Sequence, residues 1–118
     1  LKLYKTNKLR NLSFNGNRQL EEFFIEDASK LDCNISLYNM PNLKSAGSFK
    51  DYGKGFTVKN QFILTKNGLS LEAIEQIIND IATVTINCSI SISKSIYDQL
   101  PNEIKELATS KNWTLRGQ

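Results

Sequence analysis

The sequence contains no histidine, which removes the commonest general base and the commonest metal ligand from its chemistry. Its two cysteines, Cys33 and Cys88, have no metal-ligand spacing and no second pair beside them. No metal site or other cofactor is therefore expected. No apolar run approaches the roughly 18 residues that a membrane span needs, and no basic stretch followed by an apolar one marks a secretion signal. Membrane insertion is not expected either. The chain opens on Leu1 rather than Met, so localisation is not read from this end. Arginine is scarce, and the net charge of +3 is spread along the chain instead of massed on one face, as nucleic-acid binders require. Serine is frequent, yet without histidine or a G-x-S-x-G turn a serine hydrolase has nothing to build on.

What is present is a chain of 118 residues, 40% hydrophobic and 23% charged, enough apolar material for one folded domain. Its apolar residues repeat. Leu9, Leu12, Phe14, Asn17 and Leu20 read as L-x-x-L-x-F-x-x-N-x-x-L. The shift that carries Leu12 onto Ile35 also carries Phe14, Leu20 and Phe23 onto Leu37, Leu43 and Ala46. Short alternations recur as Leu12/Phe14, Ile35/Leu37, Phe62/Leu64, Cys88/Ile90 and Trp113/Leu115, evenly spaced along the chain. Every interval falls within the length of a leucine-rich repeat, about 20–29 residues with one short strand each.

The segments between these strands change character. Phe23 and Ile25 alternate within residues 15–34, so the first return path should be extended. In residues 70–83, Leu71, Ile74, Ile77, Ile78 and Ile81 follow i, i+3, i+4 spacing on one helical face, behind Ser70 as N-cap. Residues 101–111 predict a shorter helix with Pro101 in its first position and Ile104, Leu107 and Ala108 as its buried stripe. The expected fold is an α/β solenoid with a parallel β face, an extended first return and helical later ones. Such copies cannot fold singly but share a continuous core when stacked. Asn17 is expected to be a rung of a buried asparagine ladder, which Met40 interrupts in the second copy.

The stretch from Asn67 to Leu115, with "NGLSLEAIEQIINDIATV", "TINCSISIS" and "LPNEIKELATSKNWTL", resembles the terminal repeats of bacterial leucine-rich-repeat surface proteins and phage tail proteins. In that group a helix ends in a closing motif that corresponds here to Ala108, Thr109, Lys111, Trp113 and Thr114. Asn112 stands where glycine is common, and it still tolerates a left-handed turn. "LRNLSFNGN" and "ISLYNMPNL" resemble the upstream repeats of such proteins. The resemblance implies a secreted, cell-surface or virion protein used for attachment or recognition. Residues 1–118 are then one leucine-rich-repeat domain, the C-terminal part of a longer chain.

With Leu12 and Phe14 inward, alternate residues must face outward. Two outward columns follow: Ser13, Ser36, Ile63, Ser89 and Thr114, and Asn15, Tyr38, Thr65, Ser91 and Arg116. Solenoids bind on this surface. The candidate binding residues are therefore Ser13, Asn15, Ser36, Tyr38, Thr65, Ser89 and Arg116, with a protein or cell-surface ligand as partner and no catalysis. A spacer or capping segment without its own ligand is the alternative. A nucleic-acid reading would use residues 44–60, where Lys44, Lys50, Lys54 and Lys59 interleave with Phe49, Tyr52 and Phe56. Asp51 and the missing arginine favour instead a return loop whose aromatics cover the core.

Glu21, Glu22, Glu26, Asp27 and Asp32 lack the glycine-containing loop of a calcium site and read as solvated edges. Cys33 and Cys88, two rungs apart, should stay reduced, since about 10 Å exceeds the reach of a disulfide. Trp113 should close the apolar row near the C-terminus. An unpaired first strand predicts an edge-to-edge dimer.

Overall fold

A computed structural model describes residues 2–3 and 11–118, so Leu9 of the first motif lies outside the described residues. Two parallel sheets form. One takes β2 (Asn11–Ser13), β4 (Asn34–Ser36), β6 (Gln61–Leu64), β7 (Cys88–Ile92) and β8 (Trp113–Gly117), in that spatial order. The other takes β1 (Lys2–Leu3), β3 (Glu22–Ile25) and β5 (Ser45–Gly47). Every pairing within them is parallel. The second layer continues as helices: α1 (Leu71–Asp80) packs beside β5, and α3 (Asn102–Ser110) beside α1. Each of the first four strands of the large sheet is thus followed by a return through the second layer. The molecule measures 35 × 35 × 18 Å, the thickness expected of two layers packed about 10 Å apart.

The inward side chains explain why these segments adopt these elements. Leu12, Ile35, Phe62, Ile90 and Leu115 stand in register across the five strands, the first four buried and Leu115 half-buried. Aromatic rings link successive turns through the middle: Phe14 to Phe23 at 5.2 Å, Phe49 to Phe62 at 4.8 Å, Phe62 to Tyr52 at 5.0 Å and Tyr52 to Trp113 at 5.9 Å. Phe49 and Tyr52 are fully buried and Phe56 half-buried, while the four lysines between and beside them are exposed. The rings of residues 44–60 cover the core, as the loop reading predicts.

Several expectations are corrected. Phe62 pairs with Ile90, not Cys88, so the later strands slide by two relative to the earlier ones. Because two is the strand period, no side chain changes face. The second return is extended as well, through β5, and helical returns begin only with α1. A helix that the spacing did not predict, α2 (Lys94–Gln99), precedes α3, and Pro101 sits just before α3 rather than in its first turn. Asn17 is exposed, and its Oδ1 accepts from the backbone N–H of Gln19 and Leu20 in a local turn instead of joining a buried ladder. Asn67 bridges turns instead: its Nδ2 donates to Leu64 O at 3.1 Å and Leu37 O at 3.3 Å, and its Oδ1 accepts from Leu69 N.

The segment Lys111–Asn112–Trp113 stitches the last turn to the one before it. Lys111 Nζ donates to three carbonyls at the end of α1, those of Ile78, Asn79 and Ile81, at 2.7–3.0 Å. Asn112, left-handed at φ 68°, donates from Nδ2 to Val84 O, and Trp113 Nε1 donates to Ala82 O at 2.8 Å.

Candidate recognition face

The outward side chains of the large sheet form three rows. Asn11, Asn34, Gln61, Ser89 and Thr114 make the first. Ser13, Ser36, Ile63, Ser91 and Arg116 make the second. Asn15, Tyr38 and Thr65 start the third, which Ser93 continues at the end of β7. The slide by two regroups the expected columns: Ser91 and Arg116 align with Ser13 and Ser36, and Ser89 and Thr114 align with Gln61. Asn11, Asn34 and Gln61 were not among the residues singled out from the sequence. Their signal was the same period of two, extended one step towards the N-terminal ends of the strands.

Exposure varies across the face. Ser13, Asn15, Tyr38 and Arg116 are exposed, Ser89 is half-buried, and Ser36 and Thr65 retain only 6% and 5% of their accessible surface. Ser91 is buried as well. Burial is deepest in the middle strands and does not follow the rows, since Ile63 of the second row is half-buried and Ser13 and Arg116 at its ends are exposed.

Side-chain amides fix this surface. Asn15 Oδ1 accepts from Ser36 Oγ at 2.6 Å and from Tyr38 N at 3.1 Å. Asn34 Oδ1 accepts from Gln61 N at 2.8 Å, and Ser93 Oγ accepts from Lys66 N at 2.9 Å. Asn87 and Thr114 bond each other at the last strand. The first three strands of this sheet are each followed by a left-handed residue, Gly16 at φ 77°, Asn39 at 57° and Lys66 at 54°. Those turns bring the third row to a common edge. Lys66 Nζ lies 5.8 Å from the centre of the Tyr38 ring.

Polar groups elsewhere serve the fold. Tyr52 OH donates to Cys33 O at 2.6 Å, and Asp32 accepts from Thr57 Oγ1 and from Asn60 Nδ2. Both thiols are buried and free. Burial pushes Cys33 up to about 11 and raises Cys88. Asp27 accepts from the N–H and Oγ of Ser29 and so starts a short 3-10 turn. Ser91 and Lys94 stand at the spacing of a serine–lysine pair, S-x-x-K, but Lys94 is ion-paired to Asp98 at 2.9 Å and 72% exposed, unlike the desolvated lysine such chemistry uses.

Among the described residues no group of three or more histidines, cysteines or acids could hold a metal, and no helix is long and apolar enough to cross a membrane. Compared with known proteins, the chain matches no family model, no curated protein and no solved structure.

Proposed function

We propose that the chain is a leucine-rich-repeat-type solenoid that recognises or attaches to a partner through the face of its large sheet and catalyses nothing. The observation that carries the reading is the order of that sheet. Five strands, joined by four returns of the chain, lie side by side in parallel and in sequence order, so outward residues far apart in the chain share one surface. Stacked architectures of this kind bind on their extended sheet surface. Tyr38 and Arg116 supply its exposed aromatic and its cation, residue types enriched at binding hot spots. The resemblance of the C-terminal segment to surface and tail proteins supports a setting at a cell surface, in the extracellular space or on a virion.

The alternative, a spacer or capping segment of a larger protein, draws support from the bonds that Asn15, Ser36 and Asn34 make within the face. Retention of the labelled chain on cell-surface preparations separates the two. A Tyr38→Ala/Arg116→Ala variant should lose retention by about tenfold or more, while an outer-layer Glu72→Ala/Glu103→Ala control keeps it. Equal retention of both variants, or none by the wild type, rejects recognition through this face in favour of the spacer.

A further inference from the structure

The identity of the side chains on the face narrows the chemistry of a partner. Charged residues make up 23% of the chain, which for fourteen positions would give about three. The three rows hold one, Arg116, at the edge strand. Eleven of the other thirteen carry a hydroxyl or a carboxamide, Tyr38 adds a phenol, and Ile63 is the single aliphatic side chain. Among the described residues the acids and the other cations stand off the three rows, in the second layer and in loops, although the turn residue Lys66 reaches the edge of the face, its Nζ 5.8 Å from the centre of the Tyr38 ring.

The hydrogen-bonding capacity left on the face is also ordered. Asn15 and Asn34 turn their oxygens to the next strand, which fixes the opposite side of each amide. Their Nδ2 groups have no partner among the described residues. The same holds for the amide of Gln61 and the hydroxyls of Ser13 and Ser89. Such groups recur at the strand separation of about 4.8 Å along the stacking direction. Tyr38 stands exposed among them in the third row.

Resting on the recognition reading above, we propose that the occupant of this face is a neutral linear polysaccharide. A polysaccharide repeats hydroxyl donors and acceptors along a line, on a scale close to the strand spacing. It carries no charge for the face to compensate, and its sugar rings present C–H faces that pack against an aromatic ring such as Tyr38. Fixed amides and hydroxyls can pair with those hydroxyls without ordering long side chains first, which is what preorganisation means for binding. An anionic polymer would meet one cation within the rows, Arg116, and one at their edge, Lys66, and an apolar protein patch would meet one aliphatic side chain.

The test is co-sedimentation of the chain with three neutral insoluble polysaccharides, cellulose, chitin and starch, beside alginate and heparin beads as anionic controls. The expected result is retention on at least one neutral polymer that survives about 1 M salt, where charge interactions are screened within about 3 Å. Tyr38→Ala and Asn34→Ala should each weaken it about tenfold, and Ser13→Glu, which puts a carboxylate at the exposed end of the second row, should abolish it. Circular dichroism and melting of each variant verify the fold, and the Glu72→Ala/Glu103→Ala control should bind as wild type. Three results overturn the proposal: no retention on any neutral polymer, retention only on the anionic beads with release by salt, or retention that the face variants leave unchanged. If the neutral polymers fail while cell-surface retention still depends on Tyr38 and Arg116, the polysaccharide is wrong and the recognition face stands. If both fail, the face itself is not a binding site.

Discussion

Trp113 acts on the fold in two ways that a substitution can separate. It keeps 1% of its accessible surface and its ring lies 5.9 Å from Tyr52 and 5.8 Å from Phe56, while its Nε1 donates to Ala82 O in the preceding loop. Trp113→Ala removes both and opens a cavity that the rings around it cannot fill, so it should cost about 3–5 kcal/mol. Trp113→Phe keeps much of the packing and gives up the bond, leaving a buried carbonyl without its donor, at about 1–3 kcal/mol. Urea unfolding of the two variants measures the difference. Equal losses would mean that packing contributes little, and an unchanged midpoint for Trp113→Ala would remove the closing role of the residue. At this scale the sequence was readable where a residue type has one physical use. A tryptophan in an alternating apolar row belongs inside, and two thiols spaced two strands apart stay unbonded. Asparagine was not readable, because an amide serves a local turn at Asn17 and a bridge between turns at Asn67 equally well.

Helix α1 is held at both ends. Ser70 Oγ accepts from Ala73 N at 3.1 Å at its start, and the Lys111 ammonium donates to three carbonyls at its finish, where the helix dipole favours a cation. Burial lowers the pKa of Lys111 from its ordinary 10.5, with Asp80 and Asp51 opposing that shift. Lys111→Met keeps the aliphatic stem and deletes every donor, so it should cost about 1–3 kcal/mol. Lys111→Arg should recover part of that loss, since a guanidinium also donates at the site. Thermal melting of the pair checks this, and a Lys111→Met protein as stable as wild type would make the cap a passive contact. Helix α1 was legible because five apolar residues fall on one stripe behind a capping serine. Helix α2 has six residues and only Ile96, Tyr97 and the adjacent Leu100 as a stripe, too short a pattern to separate from a loop. Strand β5 reads Ser-Ala-Gly, with no alternation at all, and is held extended by pairing to β3.

For the whole molecule, the order of strands was legible and the register was not. An apolar pair that returns once per repeat length identifies one strand per turn. Cys88 and Ile90 are equally apolar, however, and only packing in three dimensions sets Ile90 beside Phe62. The slip of two left the candidate face intact but regrouped its rows, which is why Asn34 and Gln61 were missed. The same packing fixes how the molecule should respond to pH. Burial works to raise the pKa of Asp32, but its bonds from Thr57 and Asn60 prevail and hold it below 3.8; bonds from Ser29 hold Asp27 below that value too. A carboxyl that ionises more readily in the folded chain adds stability above its unfolded pKa, and that contribution is lost as pH falls through the folded value. At the alkaline end burial sets the opposite sign. Cys33 moves from 9.0 to about 11, Cys88 rises, and Tyr52 lies well above 10.0. The unfolded thiols ionise first, so their contribution is whole below pH 9.0 and disappears as pH climbs towards 11. Denaturation midpoints measured across the range should therefore hold level in between, drop on the acid side of about pH 4 and drop again above about pH 9. Both cysteines should resist iodoacetamide in the native protein and react together once it unfolds, because neither thiolate forms nor reaches solvent in the fold. A midpoint that rose between pH 9.0 and 11, or rapid alkylation of Cys33 in the native state, would mean that the second turn is open and the aromatic core around Tyr52 is not closed over it.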